Sequence, residues 1–153
     1  MFEKLKSIFE GRHELAVDAN GAPADEELRA ATAVLLLEAA HGDQELLRQE
    51  AKTVLRAMQR EFGLSAEEAR ELAGRAEAIR PPAVTLQELT DVVHRGFTPE
   101  QRRRVLALVW KIVEADHEET DWEGTFVQFV KERLGLSEQD SAVAEQMARR
   151  GEV

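Results

Sequence analysis

Apolar residues recur at three- and four-residue intervals along almost the whole chain, and that spacing predicts helices. Ala51, Val54, Leu55, Met58 and Phe62 fall on one helical face, as do Ala69, Leu72, Ala73 and Ala76. Val105, Leu108, Val109 and Ile112 form a third stripe, and Trp122, Phe126, Phe129, Val130 and Leu134 a fourth. The segment from Leu28 to Ala40 is apolar nearly all round, which predicts a central, buried helix. No strand pattern competes with these. There is no Tyr and no alternating Val/Ile/Thr run, and Asn20-Gly21 lies in a polar stretch rather than between two apolar strands.

The helix ends are marked as clearly as the faces. Phe62-Gly63-Leu64-Ser65 and Leu134-Gly135-Leu136-Ser137 share one logic. Gly takes the left-handed conformation that closes a helix, the following Leu packs back on the last turn, and Ser caps the next helix. Ser65 with Glu68, Thr85 with Glu88 and Thr98 with Gln101 have capping-box spacing, Pro99 suits a first helical position, and Pro81-Pro82 breaks the chain between two helices. The predicted order is a short amphipathic helix near 2–10, a loop to about 23, then helices near 24–41, 47–62, 66–79, 86–95, 99–115, 121–134 and 138–150. The fold class is all-α: one bundle of about seven helices over 24–150. An N-terminal helix and linker over 1–23 precede it, with the polar run Asp18 to Pro23 as the linker.

Composition narrows the function. At 153 residues the chain is the size of one domain, and 43% apolar residues suffice for a core. The longest apolar stretch, Ala30 to Ala40, is broken by Thr32 and Glu38 and is far short of the roughly 20 residues a membrane span needs. The start, Met1 to Lys6, mixes acid and base and has no secretory-signal character. The absence of Cys excludes thiolate metal sites and Cys nucleophiles, and it fits a cytoplasmic location. A net charge of -10 argues against nucleic acid as a partner. The basic run Arg102-Arg103-Arg104 reads as the exposed face of a helix. The first helix, with Phe2, Leu5, Ile8 and Phe9, is expected to dock on its own domain. With only Lys4 and Lys6 its contact with a membrane surface would be weak. There is no Gly-x-Ser-x-Gly, no His-Glu-x-x-His and no phosphate-cradling Gly-rich loop, so no enzyme activity is expected.

One pattern occurs twice. The segments Leu37 to Glu50 and Trp110 to Glu123 each end an apolar helix in an Asp, Asp43 or Asp116. Each places a Glu seven residues later, Glu50 or Glu123, in the first turn of a helix that runs on to Gly-Leu-Ser. This duplication resembles the tellurite-resistance TerB family. Members include chromosomal proteins described as TerB-like and the related N-terminal region of a DnaJ-type co-chaperone. In that family a helix ends Ala-Asp-Gly and a Glu opens the next helix, in both halves. The resemblance covers roughly residues 25 to 150. Asp43 and Glu50 match the first copy, Asp116 and Glu123 the second. The family Gly is replaced by Gln44 and His117, and the usual capping residue four after the Asp is Leu47 in the first copy. The resemblance implies an all-helical fold, a metal-binding acidic site and an association with stress and tellurite resistance.

Each acid also has a structural alternative. Glu123 completes a capping box with Thr120, whereas Glu50 has no such role because Leu47 cannot cap. Asp43 and Asp116 stand at helix C-termini, where an acid is disfavoured by up to about 1 kcal/mol; a bound cation would relieve this, and so would a turn hydrogen bond. An EF-hand is excluded. The sixth and twelfth positions counted from Asp116 are Asp121 and Val127, and from Asp43 they are Arg48 and Val54, where Gly and Glu are required. His41 and His117 flank the two Asp residues. As ligands they would shift preference toward manganese, zinc or nickel, and otherwise they are exposed turn residues. His13 and His94 have no partner pattern, and Trp110 and Trp122 lie on apolar stripes that suit a core.

The resulting expectation is a cation-binding sensor or scaffold of a bacterial stress response. It would hold a divalent cation (calcium, magnesium or manganese) at Asp43, Glu50, Asp116 and Glu123, and act through protein partners. The alternative is a protein-interaction domain whose acidic turns are purely structural.

Overall fold

The computed structural model describes residues 14–41, 48–81, 83–115 and 121–153; at 41, 48–51, 115 and 121–123 the description is of the backbone. The described residues form seven helices: α1 (Glu26–His41), α2 (Arg48–Phe62), α3 (Ala66–Ile79), α4 (Leu86–Gly96), α5 (Pro99–Ala115), α6 (Asp121–Arg133) and α7 (Glu138–Arg149). Among them there is no strand, only a single bridge between Val17 and Pro23. The expected short helix near 2–10 lies outside the described residues.

Helix α1 is the centre of the bundle and packs against α2, α3, α4 and α5. Its sequence explains this. Leu28, Val34, Leu35, Leu36 and Leu37 are buried, and so are Ala30, Ala31, Ala33, Ala39 and Ala40 between them. The large residues fill space on several sides while the alanines let neighbouring backbones come close. Each fully buried Leu contributes about 1.5–3 kcal/mol. Thr32, the polar residue deep in this helix, is buried and donates its hydroxyl to Leu28 O at 2.9 Å, so no polar group is stranded.

The stripes predicted for the outer helices face inward, those of α2, α3 and α5 against α1 and that of α6 against α4 and α5. Val54, Met58 and Phe62 of α2 are buried, as are Ala69, Leu72 and Ala76 of α3, Val105 to Val109 and Ile112 of α5, and Phe126 and Val130 of α6. Helix α5 is a second axis; it touches α1 and carries α6 and α7, and α6 also packs on α4. The two Gly-Leu-Ser turns are equivalent. Gly63 and Gly135 have φ of 68° and 69°, the left-handed region where only Gly avoids strain. Leu64 N–H reaches back to Gln59 O at 3.1 Å, and Leu136 N–H to Lys131 O at 3.0 Å. Ser65 then forms a capping box with Glu68, and Ser137 one with Asp140.

The duplication therefore extends over three helices. Helices α1–α2–α3 and α5–α6–α7 are two copies of helix, turn, helix, Gly-Leu-Ser, helix, and α4 lies between them. In each copy the first helix packs on both the second and the third.

Candidate functional site

The two copies are fastened together at one end. Arg104 on α5 grips the buried Glu61 carboxylate, near the end of α2, through Nε at 2.5 Å and Nη2 at 3.0 Å. Arg102 donates to Leu134 O at 2.6 Å, just past the end of α6, and Arg103 pairs at 3.1 Å with Asp140 in the first turn of α7. Phe62 at the end of α2 stacks on Phe97 between α4 and α5, with ring centroids 6.5 Å apart. Arg133 of α6 binds Asp91 at 2.6 Å and Thr90 at 3.2 Å on α4. His94 Nδ1 lies 3.2 Å from Arg133 O. This pole thus gathers the ends of α2, α4 and α6 with the starts of α5 and α7.

The expected exposed face at Arg102-Arg103-Arg104 is corrected here. All three side chains are half-buried, and each ties α5 to a different helix end. The unpaired carbonyls of a helix C-terminus and the acid of a helix first turn are natural partners for guanidinium groups, so an Arg triplet at a helix start can serve as a staple.

Helix α5 starts at this pole and α2 and α6 end at it, and they extend from it over 17, 15 and 13 residues. The helix ends next to the predicted acids are the ends opposite the staple: Arg48 of α2, Ala115 of α5 and Asp121 of α6. Asp43 and Asp116 lie outside the described residues, as does His117. Glu50 and Glu123 belong to the first turns of α2 and α6, as expected, but their side chains are outside the description, as is that of His41. Among the described residues, no group of three or more His, Asp or Glu side chains is placed to hold a metal ion.

Toward the C-terminal ends of α1 and α5 the described side chains form two further ion-pair groups, one half-buried and one largely exposed. Glu38, in the last turns of α1, accepts from Arg80 Nε at 2.9 Å, and Arg80 also bonds Glu77 at 3.3 Å. Glu114, at the end of α5, accepts from Arg149 Nε at 3.1 Å, and Arg149 also pairs with Glu145 at 2.6 Å. In both copies an acid on the first helix, an Arg at the end of the third and an acid one turn earlier make a Glu–Arg–Glu clamp. Burial works against the Arg80 charge, but the Glu38 hydrogen bond and the charges of Glu38 and Glu77 outweigh it and raise its pKa. Sequence reading passed over these residues. The signal was Glu38 itself, an acid interrupting the most apolar helix of the chain.

The four predicted acids are a donor set of carboxylate oxygens without thiolates, which suits a hard divalent ion. No helix among the described residues is long and apolar enough to cross a membrane. The profile described as Tellurite resistance protein TerB matches residues 29–146. No curated protein and no solved structure matches the chain.

Proposed function

The chain belongs to the tellurite resistance TerB family, and on that premise we propose that it is a non-catalytic, cytoplasmic cation-binding module. It acts as sensor or scaffold in a bacterial stress response and signals to protein partners. The observation that carries this reading is the duplication. Two three-helix copies share a stapled pole, and each carries an Asp after its first helix and a Glu seven residues on. A hard divalent ion at Asp43, Glu50, Asp116 and Glu123 gives those repeated acids a common purpose. Carboxylates gathered at one place repel each other, and a calcium, magnesium or manganese ion offsets that repulsion.

Ion binding to the folded state alone raises the melting temperature with ion concentration. The expected outcome is a rise in the wild-type protein with calcium, magnesium or manganese, weakened in Asp43→Asn and in Asp116→Asn. In ion-free buffer the same two changes are neutral or stabilising, because they remove an acid from a helix C-terminus. If no divalent ion moves the melting curve at millimolar concentration, the acids are turn and cap residues. The domain is then a protein-interaction module without a metal.

A further inference from the structure

Arg60, Glu61, Arg104 and Lys111 form a cluster of charges on α2 and α5 in which the acid is outnumbered. We propose that the open side of this cluster is a binding site for a phosphate group, held by Arg60 and Lys111. It stands apart from the cation site, and neither depends on the other.

Glu61 accounts for only one of its three cations. Both of its carboxylate oxygens are taken by Arg104, at 2.5 and 3.0 Å, and the side chain is buried. Arg60 Nε stands 3.8 Å from Glu61 Oε1, too far for a hydrogen bond, and that Nε is shielded from water without an acceptor. Lys111 gives one bond to a main-chain oxygen of Val153, and an ammonium group has three to give. Burial lowers the Lys111 pKa, Arg60 and Arg104 lower it further, and Glu61 opposes them. Three cations and one acid leave two positive charges in excess, held together against their own repulsion. Arg60 is 38% exposed and Arg104 15%, so the cluster opens to solvent on the Arg60 side.

A phosphate group supplies what is missing. Near neutral pH it carries about 1.5 to 2 negative charges and three acceptor oxygens. A guanidinium fork and an ammonium point charge are the two side-chain groups that bind it best. The net charge of -10 on the whole chain is no obstacle. At physiological salt, exposed charges more than about 8 Å away are largely screened, so the local excess decides.

The sign of one substitution separates a ligand-binding Arg60 from a structural one. If Arg60 serves to neutralise Glu61, Arg60→Gln destabilises the protein in phosphate-free chloride buffer. If it serves a phosphate, the same change is neutral or stabilising there, because it removes two repulsions for one weak attraction.

The test is calorimetric titration of sodium phosphate into the full chain at constant ionic strength near neutral pH, with wild type, Arg60→Gln and Lys111→Gln, the fold checked by circular dichroism. Glycerol phosphate in a parallel titration distinguishes a free ion from a phosphate ester. The expected result is saturable binding of at least one of the two at millimolar concentration, with a Kd at least about tenfold higher in each variant, the scale of one charge-assisted hydrogen bond. Tighter binding of glycerol phosphate makes an ester the natural ligand, and tighter binding of phosphate the free ion. No saturation by either compound overturns the inference, and so does an unchanged Kd in folded Arg60→Gln. If Lys111→Gln does not fold, Arg60→Gln decides the matter alone: loss of binding with undiminished stability in chloride supports the site, and loss of stability in chloride overturns it.

Discussion

Glu61 is the most demanding single residue in the described structure. It is 1% exposed, with Arg104 bonded to it, Arg60 at 3.8 Å and Lys111 nearby. One carboxylate thus balances three cations. Lys111 shows the strain of that balance: burial lowers its pKa, Arg60 and Arg104 add to the effect, and Glu61 opposes it. Lys111 also donates to a main-chain oxygen of Val153, a buried residue. Removing the Glu61 charge leaves Arg104 desolvated without its partner. Glu61→Gln is expected to cost about 3–5 kcal/mol in urea unfolding, the scale for breaking one side of a buried pair. A loss below about 1 kcal/mol would mean that water already screens the group.

At the scale of the element, helix ends do most of the organising. The Ser65 and Ser137 capping boxes hold the Glu68 and Asp140 carboxyls below their usual range. For each the first cause is the backbone N–H of the cap, Ser65 or Ser137, then the cap hydroxyl; Arg103 adds to the effect on Asp140. A depressed acid contributes stability that is present above its unfolded pKa and is lost as pH falls through its folded one. Asp140→Asn should therefore be less stable than wild type at neutral pH. The difference should begin to shrink as pH falls below the ordinary aspartate value of about 4 and vanish as it passes through the lower value of the folded state, where the wild-type carboxylate takes up its proton. Denaturant midpoints measured from pH 3 to 7 check this, and a gap that does not change with pH would refute the ionic cap. Ser137→Ala removes the hydroxyl that accepts from Asp140 N–H at 3.1 Å and should cost about 1 kcal/mol at pH 7.

At the scale of the molecule, the N-terminal stretch expected as a linker is fastened to the bundle. Leu15 is fully buried, and its N–H donates to Glu61 O at 3.0 Å. Gln101, already part of the Thr98 capping box, donates to Glu14 O at 3.2 Å and Val17 O at 2.8 Å. Asp18 closes the polar turn by accepting from Asn20 and Ala22 N–H, and Ala19 N–H donates to Gly96 O. Polar composition here marks a tight turn, whose strap crosses the stapled pole. Removing residues 1–20 should leave a protein less stable than one lacking residues 1–13 by about 2–5 kcal/mol, the scale of losing one buried Leu. Equal stability in chemical denaturation of the two truncated chains would return Asp18 to Pro23 to the role of a free linker.

Much of this was legible in the chain because it depends on neighbours in sequence. Three-four spacing, Gly-Leu-Ser stops, caps and the repeated Asp and Glu are local patterns, and they placed the seven helices within a residue or two of where they stand. The central place of α1 was legible too, because a helix apolar all round has no side left for water. Partners far apart in sequence were another matter. Nothing near Arg102-Arg103-Arg104 says that its acceptors are 32, 37 and 43 residues away. Leu15 looks like one apolar residue before a polar turn until the end of α2 is brought against it. Periodicity reports which face of a helix is buried but not which charge meets which, because ion pairs follow from how helix ends are stacked. The amino-acid sequence by itself determined the helices, their stops and the duplication. The tertiary structure alone decided that the arginines staple one pole and that Glu38 with Arg80 and Glu114 with Arg149 clamp the helix ends nearest the acids.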